Sequence, residues 1–419
     1  MFKKLKITGN KSIRGNVELL PSTTIQNFFI TLLMIKGGDF TLDGYFYNNA
    51  THSFLKKLNE FGVFFDNRIY DISPLKQHTV YRQVDFYSLE SLQEKFLFAL
   101  FFNKLGVTRT KKNQELENIV SYLGFKTEER EGFSVVYNKV EGKDKSINFD
   151  VFNKDYFLLS ILLLYSNYDS FSITTSDVDE ETLLILKILQ DTGLITKVGV
   201  KFDRTEYFFD KSKFTKTKKM KLYGNPYDLL FFCFLAVFLE TELTIKGVDP
   251  SIYSESLKIL SQFNGNFTIG NNFIKIWGSK NKQYKSLVVN NSKLETKFIR
   301  LLCLLIISES KKEVGSTLGI NIDIESHSSL VREINMLGGL LEIDVDGKFV
   351  YSQNRGLLKE SQLSLKNENM FENYVKFAIA LNTQGNNTLE NVERFLNVSN
   401  IVNLLGELGS EVVFEKNSL

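Results

Sequence analysis

Cysteine and histidine are scarce in this chain. Two cysteines in 419 residues give no disulfide framework. Both lie inside apolar runs, Cys233 in LLFFCFLAVFL and Cys303 in FIRLLCLLII, where a thiol reads as inert core. With only three histidines besides, no metal-ligand spacing can be read, and there is no phosphate-binding glycine loop or nucleophile–base pair. An excess of charge is missing as well. The 51 basic and 49 acidic side chains leave a net charge of +2, which offers nucleic acid or a membrane surface no bulk attraction. Any anion site has to come from a local cluster. The one basic run, KSKFTKTKKMK at 211–221, reads as a solvated strand or linker. Long hydrophobic runs are also lacking: FLLSILLLY and LLFFCFLAVFL are about half of a membrane span. The opening MFKKLKITGNKSIRG has lysines but no apolar segment of the signal-peptide kind. These absences predict a cytoplasmic chain with no nucleic-acid or membrane partner and no cofactor.

What is present is repetition. At 43% hydrophobic and 24% charged the chain has the composition of a globular protein, and its length exceeds one ordinary core. A helix closing on a glycine and turning into a strand recurs as KKLNEFGVFF, NIVSYLGFKTEE, LKILQDTGLITKV, LKILSQFNGNFTI, REINMLGGLLEI and NLLGELGSEVVF. The glycines are Gly62, Gly124, Gly193, Gly265, Gly338 and Gly409, separated by 62, 69, 72, 73 and 71 residues. Glycine suits a helix that ends in a left-handed residue, a conformation that penalises a Cβ. In the third copy Asp177 or Asp179 can cap the helix start, with Glu180 and Glu181 favouring its positive first turn. Leu184, Ile188 and Leu189 then form the apolar stripe.

Each of these helices is preceded by a more apolar one, as in FFITLLMIKGGDFTL, FLFALFFNKLGV and LLFFCFLAVFLETELTI. Such helices have no polar face and are expected to be wrapped by protein. One unit of about 70 residues therefore reads strand, buried helix, strand, outer helix, strand, strand (βαβαββ). Six units are expected to form two inverted, inside-out α/β barrel domains of three repeats each. The abundant Phe and Tyr are mostly core on this reading.

Six such units, with LLPSTT turning from a strand into a helix at 19–24, resemble the enolpyruvyl transferases, above all 3-phosphoshikimate 1-carboxyvinyltransferase (EPSP synthase). ITGNKSIRGNVELLP, GNPYDLLFFCFLAVFLETELTIKGV, IESHSSLVREINMLGG, ENYVKFAIAL and ENVERFLNVSNIVNLLGELG carry the local likeness. The resemblance implies one domain over 22–218 and another over 1–21 plus 219–419, with an active-site cleft between them. It also implies enolpyruvyl transfer from phosphoenolpyruvate to shikimate 3-phosphate in aromatic amino acid biosynthesis. That chemistry needs Lys and Arg clamps for a carboxylate and phosphates, plus a general acid/base.

By the same resemblance, most of those cations are replaced. Thr23 stands at the lysine of the family's PGSKS corner, next to Thr24. Phe28 falls at the arginine of ISNR, Phe96 at the arginine of a helix start, and Asn48 and Asn49 at an acidic pair. Asn153, Lys154 and Asp155 take the Ser-Ser-Gln place. In the KESDR segment Glu325 and Ser326 match, while His327 replaces an acidic residue. Glu372, Asn373 and Tyr374 stand at Asp-His-Arg. Lys111 aligns near an arginine, Arg394 at a lysine, and Glu295 near the acid/base aspartate. The candidate catalytic residues are thus Glu295 and Glu325. The candidate substrate-binding residues are Thr23, Thr24, Lys111, Lys154, Asp155, Ser326, His327, Glu372 and Arg394, with no metal site.

Structural readings stand beside these. Glu295 can simply favour a helix start, and His327 can be a polar turn histidine. Losing one partner of a buried charge pair costs about 2–5 kcal/mol, so several such losses together predict that the family reaction is impaired or absent. Three functions stay open: a carboxyvinyltransferase with a rearranged site, a non-catalytic homologue that binds or scaffolds a protein partner, or a transferase for a less anionic substrate. A small anionic metabolite is the expected ligand, if there is one. Lys95 and Lys154 are the lysines that could restore a positive site.

Overall fold

The structure, a computed structural model, describes residues 4–9, 13–37, 40–60, 63, 65–68, 70–74, 85–86, 89–137, 144–149, 153–201, 203–214, 219–279, 283–284, 286–312, 317–352, 356–365, 370–396 and 399–415. The chain divides into two compact units, Pro21–Leu222 and Met1–Leu20 with Tyr223–Leu419.

In the 21–222 unit three helices are buried along almost their whole length: α1 (Thr23–Lys36), α3 (Leu92–Leu105) and α5 (Lys154–Asn167). Each meets the other two. Their sequences are apolar on every side because every side meets protein. Between them in the chain lie α2 (Asn49–Glu60) and α4 (Gln114–Tyr122), and after them α6 (Glu180–Asp191). Of these, α2 and α4 bury one face only, while α6 is buried on most of its surface. Starts are fixed locally. Ser22 caps α1, Ser91 and Glu94 form a capping box on α3, and Asp179, not Asp177, caps α6 through the Thr182 amide.

The other unit repeats the plan. The buried helices are α7 (Pro226–Phe238), α9 (Lys297–Glu309) and α11 (Met370–Asn382). The flanking ones are α8 (Ser254–Gln262), α10 (Ile324–Met336), the short α12 (Glu393–Leu396) and α13 (Ile401–Glu407). Rings join the buried helices: Phe231 meets Tyr374 at 5.3 Å between centroids and Phe298 meets Tyr374 at 5.2 Å.

Each unit carries three four-stranded sheets, and all six share one pattern of a parallel pair at one edge followed by two antiparallel pairs. In the third repeat Asp144–Phe149 runs parallel to Ser170–Thr175, which pairs with Arg204–Asp210, which pairs with Ile195–Lys201. The N-terminal strands complete the 1–20/223–419 unit. Lys4–Thr8 lies between Asn386–Glu390 and Val412–Glu415, while Gly15–Glu18 runs beside Glu242–Lys246. The βαβαββ repeat is thus present as strand, buried helix, strand, outer helix and hairpin. Among the described residues no closed barrel forms; the sheets are separate.

The repeat glycines serve two purposes. Gly124, Gly193, Gly338 and Gly409 have positive φ, as a left-handed helix end requires. Gly265 does not. There Asn264, at φ +61°, takes the left-handed place. A Cβ on Gly265 would lie 2.8 Å from both the Leu260 carbonyl oxygen and Val237 Cγ2, so close packing excludes a side chain. Gly62 lies outside the described residues.

Candidate functional site

The corner at residues 21–24 ends a segment of chain and opens α1, a helix start of the kind that suits an anion, with the Ile25 amide already donating to the Ser22 hydroxyl at 3.2 Å. A carboxylate of the chain reaches this corner, at the Ser22 hydroxyl. Glu181, in the first turn of α6, accepts a hydrogen bond on Oε1 from the Ser22 hydroxyl and meets Lys154 Nζ through Oε2. Lys154 also lies 3.2 Å from Asp179 Oδ2. Glu181 is 4% exposed and Lys154 23%. Burial alone would depress the Lys154 ammonium, but the Asp179 and Glu181 carboxylates outweigh it and hold it above the ordinary lysine value. Burial likewise works against the Asp179 carboxylate, yet Lys154 and the Thr182 hydrogen bonds keep it below its usual range.

Thr23 Oγ1 accepts from Asn48 Nδ2 at 3.3 Å, and Thr24 is half-buried in the first turn. Gln26 ties the corner together, donating to the Pro21 carbonyl at 3.1 Å and accepting from the Phe46 amide at 2.8 Å. One turn further, Phe28 and Phe96 are both fully buried and meet edge to face, 5.8 Å between centroids. The second lysine, Lys95, is taken up too. Its Nζ lies 2.7 Å from Asp155 Oδ2 and 5.0 Å from the Tyr156 ring centroid. Lys111 stands exposed at the end of its strand, Val107–Lys111.

The 1–20/223–419 unit has its own buried polar cluster. His327 Nδ1, in α10, lies 3.2 Å from Glu372 Oε1, in α11, and both side chains are buried. This corrects the turn reading of His327: the residue is a buried helix residue with a carboxylate partner. One turn along α11, Lys376 donates to the Ser364 carbonyl at 2.6 Å and lies 3.1 Å from Glu333 Oε2. Tyr374 donates at 2.5 Å to Asp228, which also accepts from Ser399 Oγ at 2.7 Å. Burial pushes the Asp228 carboxyl up to about 6, although Tyr374, Ser399 and the Asn400 backbone amide all oppose the shift.

Other candidates in this unit are engaged locally or exposed. Ser326 donates at 2.6 Å to Asp323, the α10 cap, and Glu325 is exposed beside it. Glu295 sits in the short turn Leu294–Thr296, 3.5 Å from Lys293 Nζ. Arg394 lies in α12, and its side chain is outside the described residues. No three metal-binding side chains cluster among the described residues.

The structure therefore joins Lys154 to the 22–24 corner, Asp155 to Lys95, and His327 to Glu372. Three functional-looking residues escaped the candidate set. Glu181 read as a helix-start acid, while its partner Ser22 lies 159 residues away. Asp228 carried a visible signal, as the one acid in the otherwise apolar PYDLLFFCFLAVF helix. Arg300, buried in α9, is held by the Asn321 and Lys293 carbonyl oxygens at 2.6 and 3.2 Å.

No protein-family profile and no curated protein matches the chain by sequence. Solved structures do. The chain is similar to the enolpyruvyl transferase NikO from Streptomyces tendae, with a TM-score of 0.76 and 12% identity over 99% of each chain. It is also similar to EPSP synthase from Acinetobacter baumannii in two structures. Their TM-scores are 0.74 and 0.75 at 11% identity, covering 98% and 99% of this chain and 100% of theirs. The protein has the mixed α/β fold of these enolpyruvyl transferases along its whole length. No described helix is long and apolar enough to cross a membrane.

Proposed function

We propose that this chain is an enolpyruvyl-transferase-like protein that has given up the family's transfer chemistry and acts by binding, with a protein partner as its target. On this reading the three buried helices and three sheets of each unit are an inside-out α/β domain, and the protein works in the cytoplasm. The observation that carries the reading is the Phe28–Phe96 contact. At the two places where the resemblance puts arginines, two fully buried rings pack on each other.

Lys154 and Lys95, the lysines that could restore a positive site, are both engaged. Lys154 is held by Glu181 and Asp179, and Lys95 by Asp155. A doubly charged guest would have to replace Glu181 at the α1 corner and leave that carboxylate buried, at a cost of several kcal/mol. Transfer also needs cations preorganised where charge develops. Calorimetric titration with phosphoenolpyruvate and shikimate 3-phosphate, separately and together, tests this. No heat of binding is expected at micromolar ligand, and micromolar affinity for either would overturn the proposal.

A further inference from the structure

We propose that the outer face of the Gly15–Glu18 sheet is a carbohydrate-binding site centred on Trp277, distinct from the α1 corner. Trp277 is the only tryptophan in the chain. It is half-buried and lines a cavity of about 470 Å³ together with Arg14, Asn16, Glu242 and Thr244. That volume falls within the roughly 300–1,000 Å³ of small-molecule sites.

Strand alternation aims these groups to one side. In Phe273–Gly278, Ile274 and Ile276 are fully buried, so Lys275 and Trp277 face outward. Opposite them, Leu243 and Ile245 are buried, and Glu242 and Thr244 face outward. The register sets Trp277 between Glu242 and Asn266, and Thr244 between Lys275 and Asn16. An indole is thus bordered by carboxylate, amide and hydroxyl groups. The Arg14 guanidinium is exposed and makes no hydrogen bond or ion pair with a described residue, and the indole N–H makes none either.

The chemistry selects the ligand. An aromatic face takes the C–H face of a sugar ring, while fixed donors and acceptors at its rim satisfy the hydroxyls. Arg14 and Lys275 balance Glu240 and Glu242 around the indole, so no net charge calls for an anion and a neutral pyranose is the expected class. Glu242 is neutralised by Lys275 at 3.0 Å and can still accept from a hydroxyl.

Because the tryptophan is unique, its emission reports this site alone. The full chain is titrated with methyl β-D-glucopyranoside and with cellobiose, and in parallel with inorganic phosphate. Saturable quenching by at least one sugar is expected, with no change from phosphate. Asn16→Ala and Arg14→Ala should weaken the sugar response at least fivefold, and Trp277→Phe should abolish saturation-transfer NMR signals from the same sugar. Circular dichroism of each variant confirms that it remains folded. Absence of saturation with both sugars, a saturable response to phosphate, or NMR transfer unchanged in a folded Trp277→Phe would each overturn the assignment.

Discussion

In the 21–222 unit, Lys154 and Lys95 each lie against carboxylates, and Glu181 gains a hydroxyl donor besides. In the other unit the buried Lys376 repeats that arrangement with Glu333. There the buried Asp228 rests instead on the hydroxyls of Tyr374 and Ser399, and the buried Glu372 meets His327. Both units hide charge beneath helix ends, but they neutralise it differently. A lysine partner favours the ionised carboxylate, whereas hydroxyl donors only partly offset desolvation. The same repeat thus yields one unit in which burial of Asp179 is outweighed and its carboxyl is held below the usual range, and another in which burial wins and the Asp228 carboxyl is raised.

Breaking the lysine arrangement should have the largest effect. Lys154→Ala leaves Glu181 and Asp179 facing each other without a cation, and about 3–5 kcal/mol of stability should be lost in urea unfolding. Lys154→Met combined with Glu181→Gln should recover a large part of it. A loss below about 1 kcal/mol in the single variant would show that the cluster is solvated, and the contrast would fall.

The next test uses pH, where the signs oppose. Asp228 is raised above its ordinary value, so its stabilising contribution is complete below the normal carboxylate range and disappears as pH rises through about 6. Asp228→Asn should therefore gain on wild type by about 3 kcal/mol between about pH 4 and pH 7. Asp179 is depressed, so its contribution is present above the ordinary carboxylate range and is lost as pH falls through its lower folded value. Asp179→Asn should lose on wild type at neutral pH and converge with it in acid. Equal pH profiles for the two variants would erase the distinction.

The repeat glycines give a smaller contrast. Gly193→Ala should cost about 1–2 kcal/mol because of its left-handed backbone, and Gly193→Asn less, since Asn tolerates that region. At Gly265 the obstacle is the Leu260 carbonyl and Val237, so Asn should be no better than Ala. Smallest of all, a double-mutant cycle between Phe28→Ala and Phe96→Ala should give a coupling of about 0.5–1.5 kcal/mol. Zero coupling would mean that the rings are mere neighbours.

What could be read from the residues alone follows the range of the forces involved. The repeat was legible because helix caps, apolar stripes and helix-ending glycines act within a few residues, as at Asp179, Leu184 and Gly193. The corner at 19–24 was legible as a helix start that lacks a cation. Its occupant was not. Glu181 lies in a helix of its own, where an acid in the first turn already has a local purpose, and nothing nearby reveals the link to Ser22. His327 was misread for a similar reason. A histidine between serines looks like a turn, and only the packing of α10 beside Glu372 makes it a core residue. In the fourth copy Asn264 took the left-handed place expected of Gly265, since either residue type can fill it.

The two cysteines add a practical consequence. Both belong to the 1–20/223–419 unit, are fully buried on α7 and α9, and have thiols pushed up by desolvation. Alkylating reagents react with thiolates, so neither sulfur can be trapped until its helix leaves the core. The rate of thiol labelling under native conditions is then a clock for the opening of one half of the molecule, while the other half, without sulfhydryls, stays silent.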